Sequence, residues 1–421
     1  MKVVIVGAGI GGLGAAIALN RAGHDVEVYE SSSFLNEVGA AIHLAPNATR
    51  VLKSWDCDLA AMYPVECESV TFYSADFKVV QGSASKKEGQ KMLRIEEPWL
   101  LAHRVDLHNM LRSQAERGFQ GRGVSIHLNS KIVSVDAETG EVHLQDGRTI
   151  RGDLIIGADG LHSRTVEAVL SNGRDKITTG QKVFRFLVPL EKAETNPLVK
   201  NFLDTAGLNR TSAIGSAHRR LVVYPCRSGT LLNCAFLHPA TEADDLAGRG
   251  SSWLNPGTVE DLVRQLDGFD DGVREFCKMA EDLKLFSLVT RDPPPTYVKG
   301  KLALMGDAAH PMLPHQGQGG AQAIEDAAAL GALFAADTAP EQVNELLAIY
   351  NEVRYKHTVT ICITSRVEQV RRGEMLDDLR KFIPDATINE DFASGYYDAW
   401  DSYPAREVKH LLAQRHDERV L

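Results

Sequence analysis

The chain has 421 residues, 44% of them hydrophobic, and a formal net charge of -10. That length supports a large core and two domains. Acidic and basic residues are interspersed, which excludes both the clustered basic face of a nucleic-acid binder and a polybasic membrane anchor.

Six cysteines, Cys57, Cys67, Cys226, Cys234, Cys277 and Cys362, form no CxxC pair and no metal-ligand spacing. They read as structural thiols rather than a disulfide framework or a metal centre. Met1 to Ile17 is small and apolar, but it lacks a basic start and glycines interrupt it, so it is not read as a secretion signal. No apolar stretch reaches the roughly 20 residues that span a bilayer. The expected address is cytoplasmic.

Lys2-Val-Val-Ile-Val6 reads as a buried parallel strand. Gly7-Ala8-Gly9-Ile10-Gly11-Gly12 follows, then an alanine-rich helix from Leu13 to Ala22, then a strand from His24 to Glu30. In such a unit Gly7 permits the tight turn, Gly9 the approach of a pyrophosphate and Gly12 the packing of helix on strand. The helix N-terminus offers free N–H groups to phosphate. Glu30, 18 residues after Gly12, is placed to accept from a ribose diol. The unit predicts dinucleotide binding and leaves FAD and NAD both open. Gly39, Ala40 and Ala41 then permit close approach to a flat ligand. His43 either lies near that ligand or caps the turn into a helix from Ala48 to Trp55.

Farther on, Glu68 to Val80 reads as strands and Ser83 to Gln90 as a polar surface loop. Val105 to Arg117 is an amphipathic helix. Short strands follow at Val124–His127, Lys131–Val135 and Glu141–Leu144, with Asp146-Gly147 as a hairpin turn. Asp153 to Gly160 is a buried strand running into a glycine turn. From Gln181 to about Leu288 alternating strands dominate (Lys182–Pro189, Arg220–Pro225, Leu231–Leu237), followed by two helices near Val259 and Val273. Arg291-Asp-Pro-Pro-Pro295 links back to a strand at Lys301–Met305, a helix from Gly319 to Phe334 and a long helix from Glu341 to Arg372. The tail after Gly373 is polar and weakly patterned. The whole predicts an α/β fold: a Rossmann-like domain with a parallel sheet, an inserted mixed β-sheet domain and C-terminal helices.

Four separated signals belong together: Gly7-x-Gly9-x-x-Gly12 with Glu30; Arg104 in His-Arg-Val-Asp-Leu; Asp159-Gly160; and Gly306-Asp307-Ala-Ala-His-Pro-Met-Leu-Pro-His-Gln-Gly-Gln-Gly319. From Lys2 to about Arg372 the chain resembles the single-component FAD-dependent aromatic hydroxylases of the para-hydroxybenzoate hydroxylase fold, nearest the salicylate hydroxylase-like branch with its fungal secondary-metabolism members. The resemblance implies an FAD-binding domain over 1–180 (with substrate-domain strands at about 68–98) and 291–372, a substrate-binding sheet over 181–290 and a helical tail over 373–421. It implies a monooxygenase that uses NADH or NADPH as a transient co-substrate and O2, through a flavin C4a-hydroperoxide, to hydroxylate a small aromatic or electron-rich substrate. Epoxidation of an indole or alkene, and a flavin dehydrogenase or oxidase, are the alternatives. A monomer or homodimer is expected.

By the same resemblance Asp307 binds the ribityl chain, and the N–H groups of Gly319 and Gly320 face the ring's electron-rich edge. Arg104 meets the pyrophosphate, and Asp159 serves FAD or the nicotinamide. The usual arginine near that motif is shifted, since Val166 stands there and Arg164 precedes it. Arg185 matches a strand arginine that faces the ring in some relatives, and Tyr224 matches a pocket tyrosine. Many relatives carry a histidine four residues before that tyrosine, where this chain has Arg220. A regular strand would put His218 on the same side. His310 and His315, five residues apart on a proline-containing loop, are not read as metal ligands; His315 is expected to shape the flavin loop.

Overall fold

A computed structural model describes residues 1–33, 40–170, 175–216, 218–240, 256–389 and 391–420. Two large sheets organise it. The first has six strands in the order Val298–Lys299, Leu302–Leu304, Leu154–Gly157, Lys2–Val6, Asp25–Tyr29 and Ser125–His127. All neighbours are parallel except the first pair. The helix Ile10–Arg21 lies against the helix Gly319–Leu333, and both are buried along most of their length. Strands this apolar on both faces need helices on both sides, as in doubly wound folds.

The second sheet has seven strands in the order Glu281–Arg291, Lys176–Pro189, Leu231–Pro239, Arg220–Cys226, Thr211–Gly215, Ser69–Tyr73 and Val79–Ser85. Its period-two alternation separates two functions. Phe184, Phe186, Leu221, Val223, Cys234 and Phe236 point to one face. There they join Val199, Phe202, Leu262, Val273 and Phe276 in a closed core, carried by the helices Pro197–Ala206, Val259–Arg264 and Asp271–Cys277. Arg185, Ala235 and Val222 form one row across three adjacent strands on the other face. That face meets the first domain through Leu313 at one end and through Ala41 and Trp99 at the other.

Two expectations change. Strand and helix replace the polar loop: the strand Val79–Ser85 runs into a helix over Lys86–Leu93, whose first turn is capped by the Ser85 hydroxyl. Gly89 of that helix touches the rings of Trp400 and Tyr397, which leave no room for a side chain. The long helix covers Val343–Thr364 and not Glu341–Arg372, because Ser365 turns its hydroxyl to accept the Leu313 N–H (3.0 Å). The tail is helical as expected, but its weak patterning hides a packing role: the helix Phe392–Asp401 buries Tyr396, Tyr397 and Trp400 against Trp99. Among the described residues no helix is long and apolar enough to cross a membrane.

Candidate functional site

Gly7 ends the first strand with φ +100°, and a Cβ there would lie 2.5 Å from the carbonyl oxygen of Ala158. A Cβ on Gly12 would overlap the carbonyl of Gly7. Gly9 differs: a Cβ there would meet nothing within 4 Å. The helix that follows has Gly9 as its N-cap and no side-chain cap, so its first N–H groups face that open space. Glu30 is fixed beside them. One carboxylate oxygen accepts the Ala8 N–H (2.8 Å), and the other accepts the Ser32 N–H (2.7 Å) and the Ser31 hydroxyl (3.1 Å). Gly39 lies outside the described residues.

Arg104 opens the helix Arg104–Arg117; its N–H donates to the Ala40 carbonyl (2.6 Å) and its side chain is exposed. Two residues on, Asp106 receives two hydrogen bonds from Arg227 (2.8 and 3.0 Å), pinning this helix start to a turn of the second sheet. Asp307 follows the strand Leu302–Leu304. Its side chain is accessible, yet burial raises its carboxyl above the ordinary carboxylate range, opposed by the charges of His310 and Arg104. Exposed and within reach of the Arg104 charge, Asp307 opens toward that arginine. The helix Gly319–Leu333 has no side-chain cap, so the N–H groups at Gly319 and Gly320 are free to meet a ligand.

Over the second sheet, Phe72, Arg185, Val222 and Ala235 are partly open, while the strand positions that flank them are buried. Accessible surface therefore remains on the middle of this sheet face, beside Leu313 of the 306–320 loop. Arg185 has no hydrogen-bond or ion-pair partner among the described residues. Its guanidinium stands 5.9 Å from the Phe286 ring centroid. Burial lowers its pKa, and so does the charge of Arg104. The Tyr224 hydroxyl donates to the Ala41 carbonyl (2.8 Å), while the Ala41 N–H donates to Asn233 (2.9 Å). Both strands thus grip one residue of the first domain. His43 caps no helix. Its Nε2 meets the Thr211 hydroxyl (3.2 Å), and its ring stands edge-on to Tyr224 with Gly317 against it. Burial brings its pKa down to about 4, so it is neutral.

Asp159, whose backbone abuts Gly7, and His218 make no side-chain contribution of the kind expected. The Asp159 carboxylate is spent on its own turn, accepting from the Arg164 N–H (2.6 Å), the Thr165 N–H (3.1 Å) and the Thr165 hydroxyl (2.6 Å). It fixes Gly160, which has φ +75° and open space around it. His218 is exposed in the turn before the strand, which starts only at Arg220.

The sequence reading missed a buried polar network behind the 306–320 loop. Arg354 donates to Asp326 (2.7 Å), Glu325 (3.2 Å) and Gln322 (2.7 Å), and the Arg354, Asp326 and Glu325 side chains are 0% exposed. The second oxygen of Asp326 accepts the Gly306 N–H (2.9 Å) and His310 Nε2 (2.7 Å). Asn47 links Glu325 (3.2 Å) to Gln318 (3.3 Å), the residue before Gly319. Hence both ends of the 306–320 loop are anchored here. Glu-Asp inside an alanine-rich, otherwise apolar helix was the available signal, since a buried charge needs a partner.

Two carboxylates share one guanidinium, so they cannot both ionise cheaply. The ion pair at 3.2 Å and the raised pKa of Glu325 pull in opposite directions. Desolvation wins at Glu325, whose pKa is pushed up to about 7, because Asp326 holds more donors and stays ionised. The folded value of Glu325 lies above its ordinary 4.5, so its contribution to stability declines as pH rises from about 4.5 to about 7. Glu325→Gln should therefore gain stability relative to the wild type across that window. Urea midpoints at pH 5 and 7.5 measure it; an unchanged difference would contradict the assignment.

A strand–glycine turn–helix with a pinned acid, an exposed arginine, an accessible Asp307 and a free helix N-terminus belong to the first domain. Gly9's open space leaves room for a phosphate group, and these donors and acceptors fit a flavin dinucleotide. The arrangement defines a two-domain flavoprotein class. The chain matches the FAD-binding-domain family over residues 1–362. It is 34% identical over 401 residues to FAD-dependent monooxygenase cfoG of Aspergillus candidus (93% of this chain, 89% of that protein). It is 32% identical over 382 residues to hispidin-3-hydroxylase of Neonothopanus nambi (88% of each). A salicylate hydroxylase–substrate complex superposes with a TM-score of 0.72 at 21% identity, covering 96% of this chain and 98% of that one. The chain belongs to this family of FAD-dependent monooxygenases.

Proposed function

We propose that this enzyme hydroxylates an aromatic substrate of the phenol or benzoate type, using NADH or NADPH and O2. The observation that carries the reading is Arg185: a cation without hydrogen-bond or ion-pair partner among the described residues, in one partly open row with Ala235 and Val222 on the sheet face that meets the 306–320 loop. Similarity to a hispidin-3-hydroxylase and to a 6-methylsalicylate 1-monooxygenase supports it.

In this reading Gly7, Gly9, Gly12 and the following helix receive the pyrophosphate together with Arg104, and Glu30 takes the ribose. Asp307 takes the ribityl hydroxyls. Ala41 and His43 line the ring's path. Asp159 acts by holding Gly160. When bound, FAD supplies the oxygen-transfer chemistry with the nicotinamide and O2. The chain's residues do the rest. The Gly319 and Gly320 N–H groups stabilise negative charge at the ring's edge. Arg185 favours the ionised form of a phenol or carboxylate, which makes the ring a better nucleophile. Tyr224 keeps its hydroxyl on Ala41 and so holds the sheet against the first domain.

The protein should purify yellow or take up FAD, and a phenol or benzoate should accelerate NAD(P)H consumption with labelled O2 entering the product. A colourless protein that cannot be reconstituted would end the proposal. Arg185→Gln should retain FAD yet lose about 10–100-fold in kcat/KM for an ionised substrate, the scale of one charge-assisted hydrogen bond.

A further inference from the structure

Arg220 starts its strand on the same sheet face as Val222 and Tyr224, in the row of Leu237 and Val183. Its side chain is only 11% exposed. A guanidinium carries five N–H donors and no acceptor. Here Nη2 donates to His315 Nδ1 (2.8 Å), Nη1 lies 4.0 Å from Glu368, and Nε has no acceptor among the described residues. Glu368 is shared, standing closer to Arg371 (3.4 Å). Because His315 accepts at Nδ1, its proton sits on Nε2, and that buried N–H also lacks an acceptor among the described residues.

One cation and two unmatched, buried donors therefore meet where the row of Leu237 and Val183 faces the 306–320 loop, beside the partly open Val222. Burial lowers the pKa of Arg220 and takes His315 down to about 3. A strut between sheet and loop would need no charge, and native proteins rarely leave such donors unmatched. Arg185 lies two strands and two residues away, so the Cα atoms are about 12 Å apart at ~4.8 Å per strand and ~3.4 Å per residue. Ala235 and Val222 lie between them.

We infer that Arg220 is the specificity-determining cation of this sheet face: with His315 beside it, it takes an ionised oxygen of the substrate, a carboxylate or phenolate, while the ring lies over Val222 and Ala235 toward Arg185. The inference rests on the hydroxylase reading and names its substrate class, an aromatic acid. Glu368, from beyond the family match, tempers the charge.

The test uses FAD-loaded wild type, Arg220→Gln, Arg220→Lys and Glu368→Gln. The probes are matched pairs: a hydroxybenzoate against its methyl ester, and a nitrophenol against its methyl ether. Binding is read from perturbation of the flavin absorbance, independently of turnover, and NAD(P)H consumption is followed separately. Wild type should prefer the anionic member at least tenfold, in the benzoate pair if the oxygen is a carboxylate and in the phenol pair if it is a phenolate. Arg220→Gln should weaken the anion about 10–100-fold and the neutral analogue less than about threefold. Arg220→Lys should recover part of the loss, and Glu368→Gln should tighten the anion. Equal weakening of both members in Arg220→Gln, or no anion preference in wild type, would overturn the inference while neutral aromatics still turned over. If no aromatic perturbed the flavin or stimulated NAD(P)H consumption, the hydroxylase reading would fall and the inference with it.

Discussion

Arg354→Met should cost the folded protein about 3–5 kcal/mol, the usual penalty for removing one partner of a buried ion pair. The side chain serves Asp326, Glu325 and Gln322 at once with 0% exposure, so nothing from solvent can replace it. Glu325 escapes by staying protonated; Asp326 cannot, because the Gly306 N–H and His310 hold it ionised. The strain passes to Gly306 and so to Asp307. Urea unfolding of the cofactor-free protein measures the loss, and FAD retention should fall in parallel. Arg354→Lys keeps the charge without the fork and should lose less. A midpoint for Arg354→Met equivalent to less than about 1 kcal/mol would show that the network is not anchoring the loop.

The second large effect separates two glycines in one motif. Gly12→Val pushes a side chain into the Gly7 carbonyl, so the turn itself must move. Losing two phosphate-directed hydrogen bonds at about 1.5–3 kcal/mol each lowers FAD affinity roughly 100–1000-fold or more. Stability of the cofactor-free protein should fall as well. A Cβ at Gly9 meets no protein atom within 4 Å and the backbone there has φ -71°, so cofactor-free Gly9→Val should keep its stability within about 0.5 kcal/mol, as at sites without packing contacts. Its FAD affinity should still drop, because the new side chain stands where the ligand approaches. Fluorescence titration with FAD and thermal melts of both variants separate packing from approach. Tight FAD binding by Gly9→Val would place the dinucleotide elsewhere.

Much of the site was legible because its parts are local. The glycine spacing, Glu30 at a strand end and Gly306-Asp307 after a short strand each encode their geometry within a few residues. Arg185 and Tyr224 came from the family resemblance, and the strand register puts them with Arg220 on one face. What failed depends on distant contacts. Ser83–Gln90 looks like a loop by composition, yet Gly89 sits under Trp400 and Tyr397 from more than 300 residues away. Helical periodicity continues past Thr364, but Ser365 is claimed by Leu313 and Thr364 by Gln316 (2.8 Å). His218 was placed by extending a strand that the structure begins at Arg220. The partner of Asp326 lies 28 residues along the chain, and periodicity alone gives no reason to pair them.

The two-faced sheet limits how this enzyme can diversify. Adding or deleting one residue before Arg185 within Lys176–Pro189 would exchange the two sides of everything downstream in that strand. Arg185 would be driven among the phenylalanines under the helices, and Phe184 or Phe186 would take its place on the open face. New substrate ranges are therefore open to this scaffold through point replacements at alternate positions, and through length changes only in the connecting turns.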